Sequence, residues 1–390
     1  MFKRIRRTRH EGRRGAVVPL VAVAGPVLLG FAALTIDLGQ VYVARTELQQ
    51  AADAAALAAA SVYFTDAGLQ QNGSAISSMA MERAGAIALN NRVLGSRLIL
   101  KAADVTPGQH DFADPAGPLL PMSPWNAVQV TARRTSDCEN GPVSLFFARI
   151  WGWNSADLVA AARAAVDDRM ERYVLEGNTT GTGFMPLTIP MDGYFDMFTS
   201  GGLDLYSYDS GVHSAPDGIP EVQAYPWKWT RQDGSGGSGN FGILDMNRPN
   251  NGAAALSEQI SNGGASAADV QAQFGVPTLT FYDAAHTQSP ITYPCSGTPG
   301  MKASIEAALA GQIGKVCALF LNNGVSGQGQ NATYSICGIV WARIMAVDLS
   351  GGPHAIGLVV QPVGHTDSWV LTSQYARSTS GTAGRITLVQ

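Results

Sequence analysis

A chain of 390 residues, 46% hydrophobic and only 14% charged, can bury a sizeable core and has room for about two or three domains, so nothing requires it to be a small stapled module. The low charge suits an exterior of Ser, Thr, Asn, Gln and Gly and points toward the cell envelope or beyond. Its net charge of −4 hides an asymmetry: MFKRIRRTRHEGRR carries seven Lys or Arg against Glu11 alone, a local +6, so the remainder sums to −10. An acidic body with a short basic terminus excludes nucleic-acid binding by the chain as a whole.

Directly after Arg14 comes GAVVPLVAVAGPVLLGFAALTI, residues 15–36, without a charge. As a helix rising about 1.5 Å per residue, it is long enough to cross a hydrocarbon core of roughly 30 Å. Basic residues ahead of it place that end in the cytoplasm by the positive-inside rule. Pro19 and Pro26 are tolerable in a membrane helix. The run reads as a membrane anchor. Two alternatives stand beside it: a cleaved signal, with a small-x-small site at Ala22-Val23-Ala24, and a buried helix of a soluble protein.

Beyond it, LGQVYVARTELQQAADAAALAAASV keeps a helical period through Leu38, Val41, Arg45, Leu48, Ala52, Ala55, Ala59 and Val62. No Pro or Gly interrupts residues 40–67, so one helix should run from the membrane into the next compartment. Asp37 falls at the water boundary, either simply ending the apolar run or serving a pairing role. Tyr42 and Arg45 lie one turn further out, where an aromatic and a snorkelling cation are comfortable.

After turn signals in TDAGLQQNGS, a second helical stretch ends at Gly95, with Met79, Met81, Ala86 and Leu89 as its apolar positions. RLILKAADVTPGQHDF reads as a strand and a Pro-Gly turn. NAVQVTARRTSD alternates as a half-buried strand. In VSLFFARIWGWNSADLVAAARAAVDDR, Leu145, Phe146 and Phe147 start a short apolar helix, Trp151 and Trp153 fill the connection, and Ser155 opens a segment that fits helix or strand.

The order RRGAVVPLVAVAGPVLLGFAALTIDLGQVYVARTELQQAADAAALAAA, NAVQVTARRT, GPVSLFFARIWGWNSADLVAAARAAV resembles the N-terminal region of TadG-like proteins of the Flp (tight adherence) pilus assembly system. The residues that carry the similarity are Arg14-Gly15 entering the apolar run, Asp37-Leu38-Gly39, Arg45, Leu48-Gln49, the stretch from Ala51 to Ala58, and Pro142 to Ala148. The resemblance spans residues 13–168. It implies a single-pass anchor in the bacterial inner membrane, a periplasmic body, and a part in assembling or anchoring pili, with the lipid bilayer and other pilus assembly proteins, or a second copy meeting the stem helix, as partners. Arg14, Gly15, Asp37 and Arg45 are the anchor residues.

Two features of relatives are absent. Pseudopilins of the system carry glutamate five residues after the processed glycine, whereas Gly15 is followed at that offset by Leu20. A von Willebrand factor A metal loop would need Asp-x-Ser-x-Ser, and the nearest approach, Asp348-Leu349-Ser350-Gly351-Gly352, ends in glycine.

From about residue 180 the chain reads as β-rich with Gly, Ser, Asn and Pro turns. RQDGSGGSGN is a loop, FGILD a strand, and Ala253 to Ile260 a helix ended by Asn262-Gly263-Gly264. VCALFLNN, TYSICGIVWARIMAVD and HAIGLVVQPV are strands. This part also resembles, more loosely, the periplasmic portion of TadG-like proteins.

The four cysteines, Cys138, Cys295, Cys317 and Cys337, are disulfide candidates in an oxidising compartment. One bridge is expected among the last three, with Cys317 to Cys337 favoured between neighbouring strands, and the fourth would pair with Cys138. No Cys-x-x-Cys or histidine spacing suggests zinc.

Catalytic motifs are lacking, and Asp283 with His286 reads as a surface loop, so no enzyme, cofactor, metal or small-molecule substrate is expected. The fold class is α+β: a basic tail (1–14), a transmembrane helix (15–37), a helical stem with a small pilin-like α+β unit (38–170), and a β-rich region with short helices (171–390). The functional expectation is a non-enzymatic component of Flp pilus assembly. Its alternative is an envelope module binding glycan or peptidoglycan through the β-rich region; Tyr225, Trp227 and Trp229 read either as core or loop packing or as an aromatic face for a partner or glycan.

Overall fold

One helix, α1, runs from Val17 to Ala60, with Pro26 inside its apolar half and strong helix formers uninterrupted by Pro or Gly from residue 40 onward. Its 44 residues extend about 66 Å. The computed structural model describes residues 17–179, 183–224, 241–247, 252–327, 329–350 and 356–389. Arg14, Gly15, the 231–240 loop and the aromatic trio Tyr225, Trp227 and Trp229 lie outside these residues.

The two halves of α1 behave differently. Up to Ile36 its large apolar residues, among them Leu20, Val23, Leu28, Phe31 and Leu34, are exposed on all sides. The helix is long and apolar enough to cross a membrane. From Ala44 onward one face is fully buried: Ala44, Leu48, Ala51, Ala52, Ala55, Ala56, Ala59 and Ala60, at the three-and-four spacing of a packed helix. The expected stripe is thus corrected at its start, because Leu38 and Arg45 point outward.

The buried face lies on a second helix, α2 (Gly73–Asn90), and on an antiparallel sheet. Asn72 caps α2 by accepting the amide of Ala75. The buried positions of α2 are Ile76, Ala80, Ala84 and Ala88, four apart. The expected apolar positions fall beside that line: Met79 and Met81 sit at its margin, and Ala86 and Leu89 are exposed.

The sheet contains β1 (Val105–Gly108), β2 (Ala127–Arg134) and β5 (Leu158–Asp167), while β3 (Val143–Ser144) and β4 (Ser155–Ala156) form a separate small hairpin between β2 and β5. Val128, Val130 and Ala132 pair with Ala164, Ala162 and Ala160, and all six face the core. Small residues on the sheet thus meet small residues on α1, which allows helix and sheet to approach closely. Pro107 and Gly108 do not turn the chain as expected. They belong to the edge strand β1, where a missing N–H does no harm. On the other edge, β5 pairs with residues Arg385–Val389 from the far end of the chain.

The remainder is β-rich. One sheet includes β6 (Phe184–Pro190), β7 (Gly242–Leu244), β8 (Tyr293–Pro299), β9 (Val316–Ser326) and β10 (Ala332–Asp348), which close a ring because β9 pairs with both β6 and β10. Both faces of β9 are buried, Leu319 and Leu321 in one cluster and Ala318 and Phe320 in another. That explains its unbroken apolar run. The architecture is α+β, a long apolar helix followed by several sheets.

The expected disulfides are not formed, and all four cysteines are free. The register of β9 on β10 puts Cys317 opposite Ala342, five residues along the strand from Cys337. That offset is about 17 Å at the rise of a strand, against a Cα separation below about 7 Å for a bridge. Cys337 instead rests with its Sγ 3.8 Å from Met191 Sδ.

Candidate membrane-proximal clasp

The point where α1 changes from uncovered to packed is marked by Asp37. The residue is buried, 4% exposed. What covers it is the excursion between β3 and β4. These strands form a two-residue ladder, Val143 opposite Ala156 and Ser144 opposite Ser155. The Leu145 amide donates to the Asn154 carbonyl at 2.9 Å and closes the base of the loop. Buried Arg134 fixes the approach, donating from Nε to the Gly141 carbonyl at 2.9 Å and from Nη1 to the Val93 carbonyl at 3.1 Å.

Residues Ala148–Trp151 form a single 3₁₀ turn, not the apolar helix expected to start at Leu145. Three successive amides ahead of and at its start converge on Asp37. Oδ1 accepts from Phe146 at 2.7 Å, and Oδ2 accepts from Phe147 at 3.0 Å and Ala148 at 2.6 Å. These are the orphan donors that open any helical turn. A carboxylate serves them well because both oxygens accept and the turn's dipole favours negative charge there. One turn along α1, Gln40 Nε2 donates to the Ser144 carbonyl at 3.2 Å. Gly152 supplies the left-handed conformation, φ +87°, that lets the chain leave the turn.

Leu34, Asp37, Phe147, Ala148, Trp151 and Trp153 line a shallow hollow of about 320 Å³ at this junction. Phe146, Ile150, Trp151 and Trp153 are left exposed around it. Arg149 donates Nε to the Leu145 carbonyl at 3.0 Å and holds its guanidinium 6.0 Å from the centre of the Phe146 ring.

Of the expected anchor residues, Asp37 is thus brought to the loop, whereas Arg45 and Tyr42 stand exposed further along α1. By local pattern the loop's own residues read as connection and short helix. Their sequence does hold a usable signal: Pro142 to Ala148 and Asp37 both carry the family resemblance, although nothing local links them.

Elsewhere, a cleft of about 910 Å³ is bordered by Met191, Asp192, Phe195, Tyr282, Cys337 and Arg377. Among the described residues no group of three His, Cys, Asp or Glu side chains is arranged to hold a metal. Asp283 and His286 meet, Oδ1 to Nδ1 at 2.8 Å, within one exposed turn.

An apolar helix long enough to cross a membrane, clasped by a loop at the point where it enters an α+β body, is the arrangement at this junction. Residues 15–62 match the family described as Flp pilus-assembly TadE/G-like, and residues 43–164 match the one described as Tad-like Flp pilus-assembly. Over that N-terminal portion the two matches support a TadG-like Flp pilus-assembly protein. No curated protein and no solved structure matches it.

Proposed function

We propose that the protein is a non-enzymatic, single-pass inner-membrane component of Flp pilus assembly, with its basic tail in the cytoplasm and everything after Asp37 in the periplasm. The observation that carries this is the change along α1: large apolar residues from Val18 to Ile36 exposed, with only the small Ala33 covered, then one face fully buried from Ala44. A lipid environment is the solvent in which the first half is stable. The short basic terminus sets the orientation. In this reading residues 15–37 span, and 38–170 with the β-rich remainder form the body that meets other assembly proteins.

Leu29→Arg tests the anchor. A charge at the centre of a span costs roughly 3 kcal/mol on insertion scales, so membrane retention after fractionation should fall. Unchanged retention, or a mature soluble chain beginning after residue 24, would remove the anchor from the reading. Deleting the gene and scoring surface pili tests the assembly role.

A further inference from the structure

We propose that residues 145–154 are a second membrane contact, an interfacial loop that seats Phe146, Ile150, Trp151 and Trp153 in the headgroup region of the leaflet from which α1 emerges. This rests on α1 being the span proposed above.

The exposure is the first observation. Phe146, Ile150, Trp151 and Trp153 are 67%, 74%, 66% and 72% exposed, four large apolar side chains within eight residues. Contiguous exposed apolar surface of this kind marks an interaction site. Scattered single residues would not.

The placement says what covers it. The loop is held to α1 by the three amides on Asp37, and its indoles share a hollow with Leu34, which lies about one turn before Asp37 on the uncovered side. The exposed surface of the loop is therefore continuous with the exposed surface of the apolar helix. Whatever solvates Leu34 also reaches Trp151 and Trp153, and for a span that solvent is lipid.

The side-chain chemistry agrees. Trp has an apolar body and one N–H donor, the combination enriched where hydrocarbon gives way to headgroups. Arg149, exposed in the same turn, supplies a cation at the level of lipid phosphates. No other charged residue occurs between Leu145 and Asn154. A single helix leaves the body free to rotate about its axis and to tilt. A second contact beside the exit point removes much of that freedom and fixes which face of the body is turned away from the membrane.

The test uses the full chain in vesicles of phosphatidylethanolamine and phosphatidylglycerol brominated on the acyl chains near the headgroup, with tryptophan emission as the readout. Wild type should be quenched, and the Trp151→Phe/Trp153→Phe variant should lose most of that quenching, the emission of the five remaining tryptophans, Trp125, Trp227, Trp229, Trp341 and Trp369, being measured in that variant as the background. Phe at these exposed positions leaves the fold intact, which circular dichroism checks, and Ile150→Ser with the indoles retained provides an independent variant that should weaken the quenching. Alkaline carbonate extraction of the same vesicles separates the two ideas. A chain that is extracted sinks the span itself. A chain that is retained, with wild type unquenched or the double variant quenched equally, overturns the interfacial loop alone. Indoles that are unquenched by lipid and shielded from iodide also overturn it, in favour of a protein partner on this face.

Discussion

The carboxylate of Asp37 accepts the backbone amide of Ala148 at 2.6 Å, across 111 residues of sequence. With the Phe146 and Phe147 amides it makes a charge-assisted cap between a stem helix and a loop, beside the hydrogen bond from Gln40 Nε2 to the Ser144 carbonyl.

Replacing Asp37 by Ala leaves those three amides without their acceptor. Hydrogen bonds to a charged group are worth about 1.5–3 kcal/mol each in net terms, though water reaching the loop would recover part of this. The loop should open locally while the body stays folded. Trypsin cleavage after Arg149 is the measurement: faster for Asp37→Ala than for wild type, with Asp37→Asn between them because Asn keeps one accepting oxygen. Equal cleavage rates would mean that the cap does not hold the loop.

Ala55 lies fully buried in the core shared by α1, α2 and the sheet. Ala55→Leu inserts a branched side chain where two backbones approach closely, and overpacking of this kind costs about 1–3 kcal/mol. Leu57, two residues on, is exposed, and Leu57→Ala should stay within about 0.5 kcal/mol of wild type. Thermal unfolding of both variants in detergent distinguishes a stem packed on its own body from one whose alanines await a partner.

Glu221 is 2% exposed. Burial raises its carboxyl from 4.5 to about 7, aided by Asp204 and Asp217, even though the Leu205 and Tyr206 amides donate to it and pull the other way. The folded protein therefore keeps this proton to about pH 7, while the unfolded chain releases it near 4.5. The unfolded state binds fewer protons in that window, so this group's contribution to stability falls as pH rises from 4.5 to 7. Glu221→Gln removes the dependence. Urea midpoints at about pH 5 and about pH 8 should separate less for the variant than for wild type.

Burial pushes the thiols of Cys295, Cys317 and Cys337 up to about 12, whereas Cys138 is only half-buried. A thiolate-specific reagent at about pH 8 should therefore titrate Cys138 alone in the folded protein, since the thiolate is the reactive form. All four should react after unfolding without a reductant. Fewer than four would mean that a bridge forms.

Much of this was legible because it is written locally. Residues 15–36 announce an uncovered helix by composition, and NAVQVTARR announces a strand by alternation. The alanine-rich LVAAARAAVD fitted helix or strand on local grounds. It is a strand because β2 and the 385–389 strand pair with its two edges and its Ala160, Ala162 and Ala164 face α1.

Of the clasp, Asp37 stood out as a boundary charge, but its partners did not. A hydrogen bond from a backbone amide leaves no residue type behind in the sequence. The cysteines misled for a related reason: being on neighbouring strands is readable, whereas the register that separates Cys317 from Cys337 is set by the pairing of the whole ladder.

By itself, the sequence determined a long helix, apolar for its first half and alanine-rich for its second, because helix propensity and hydropathy are properties of neighbouring residues. Only the tertiary structure decided what the alanines are for and what Asp37 holds. Those choices depend on which distant segments arrive beside α1, and the same alanine face could have met another chain as readily as β2 and β5.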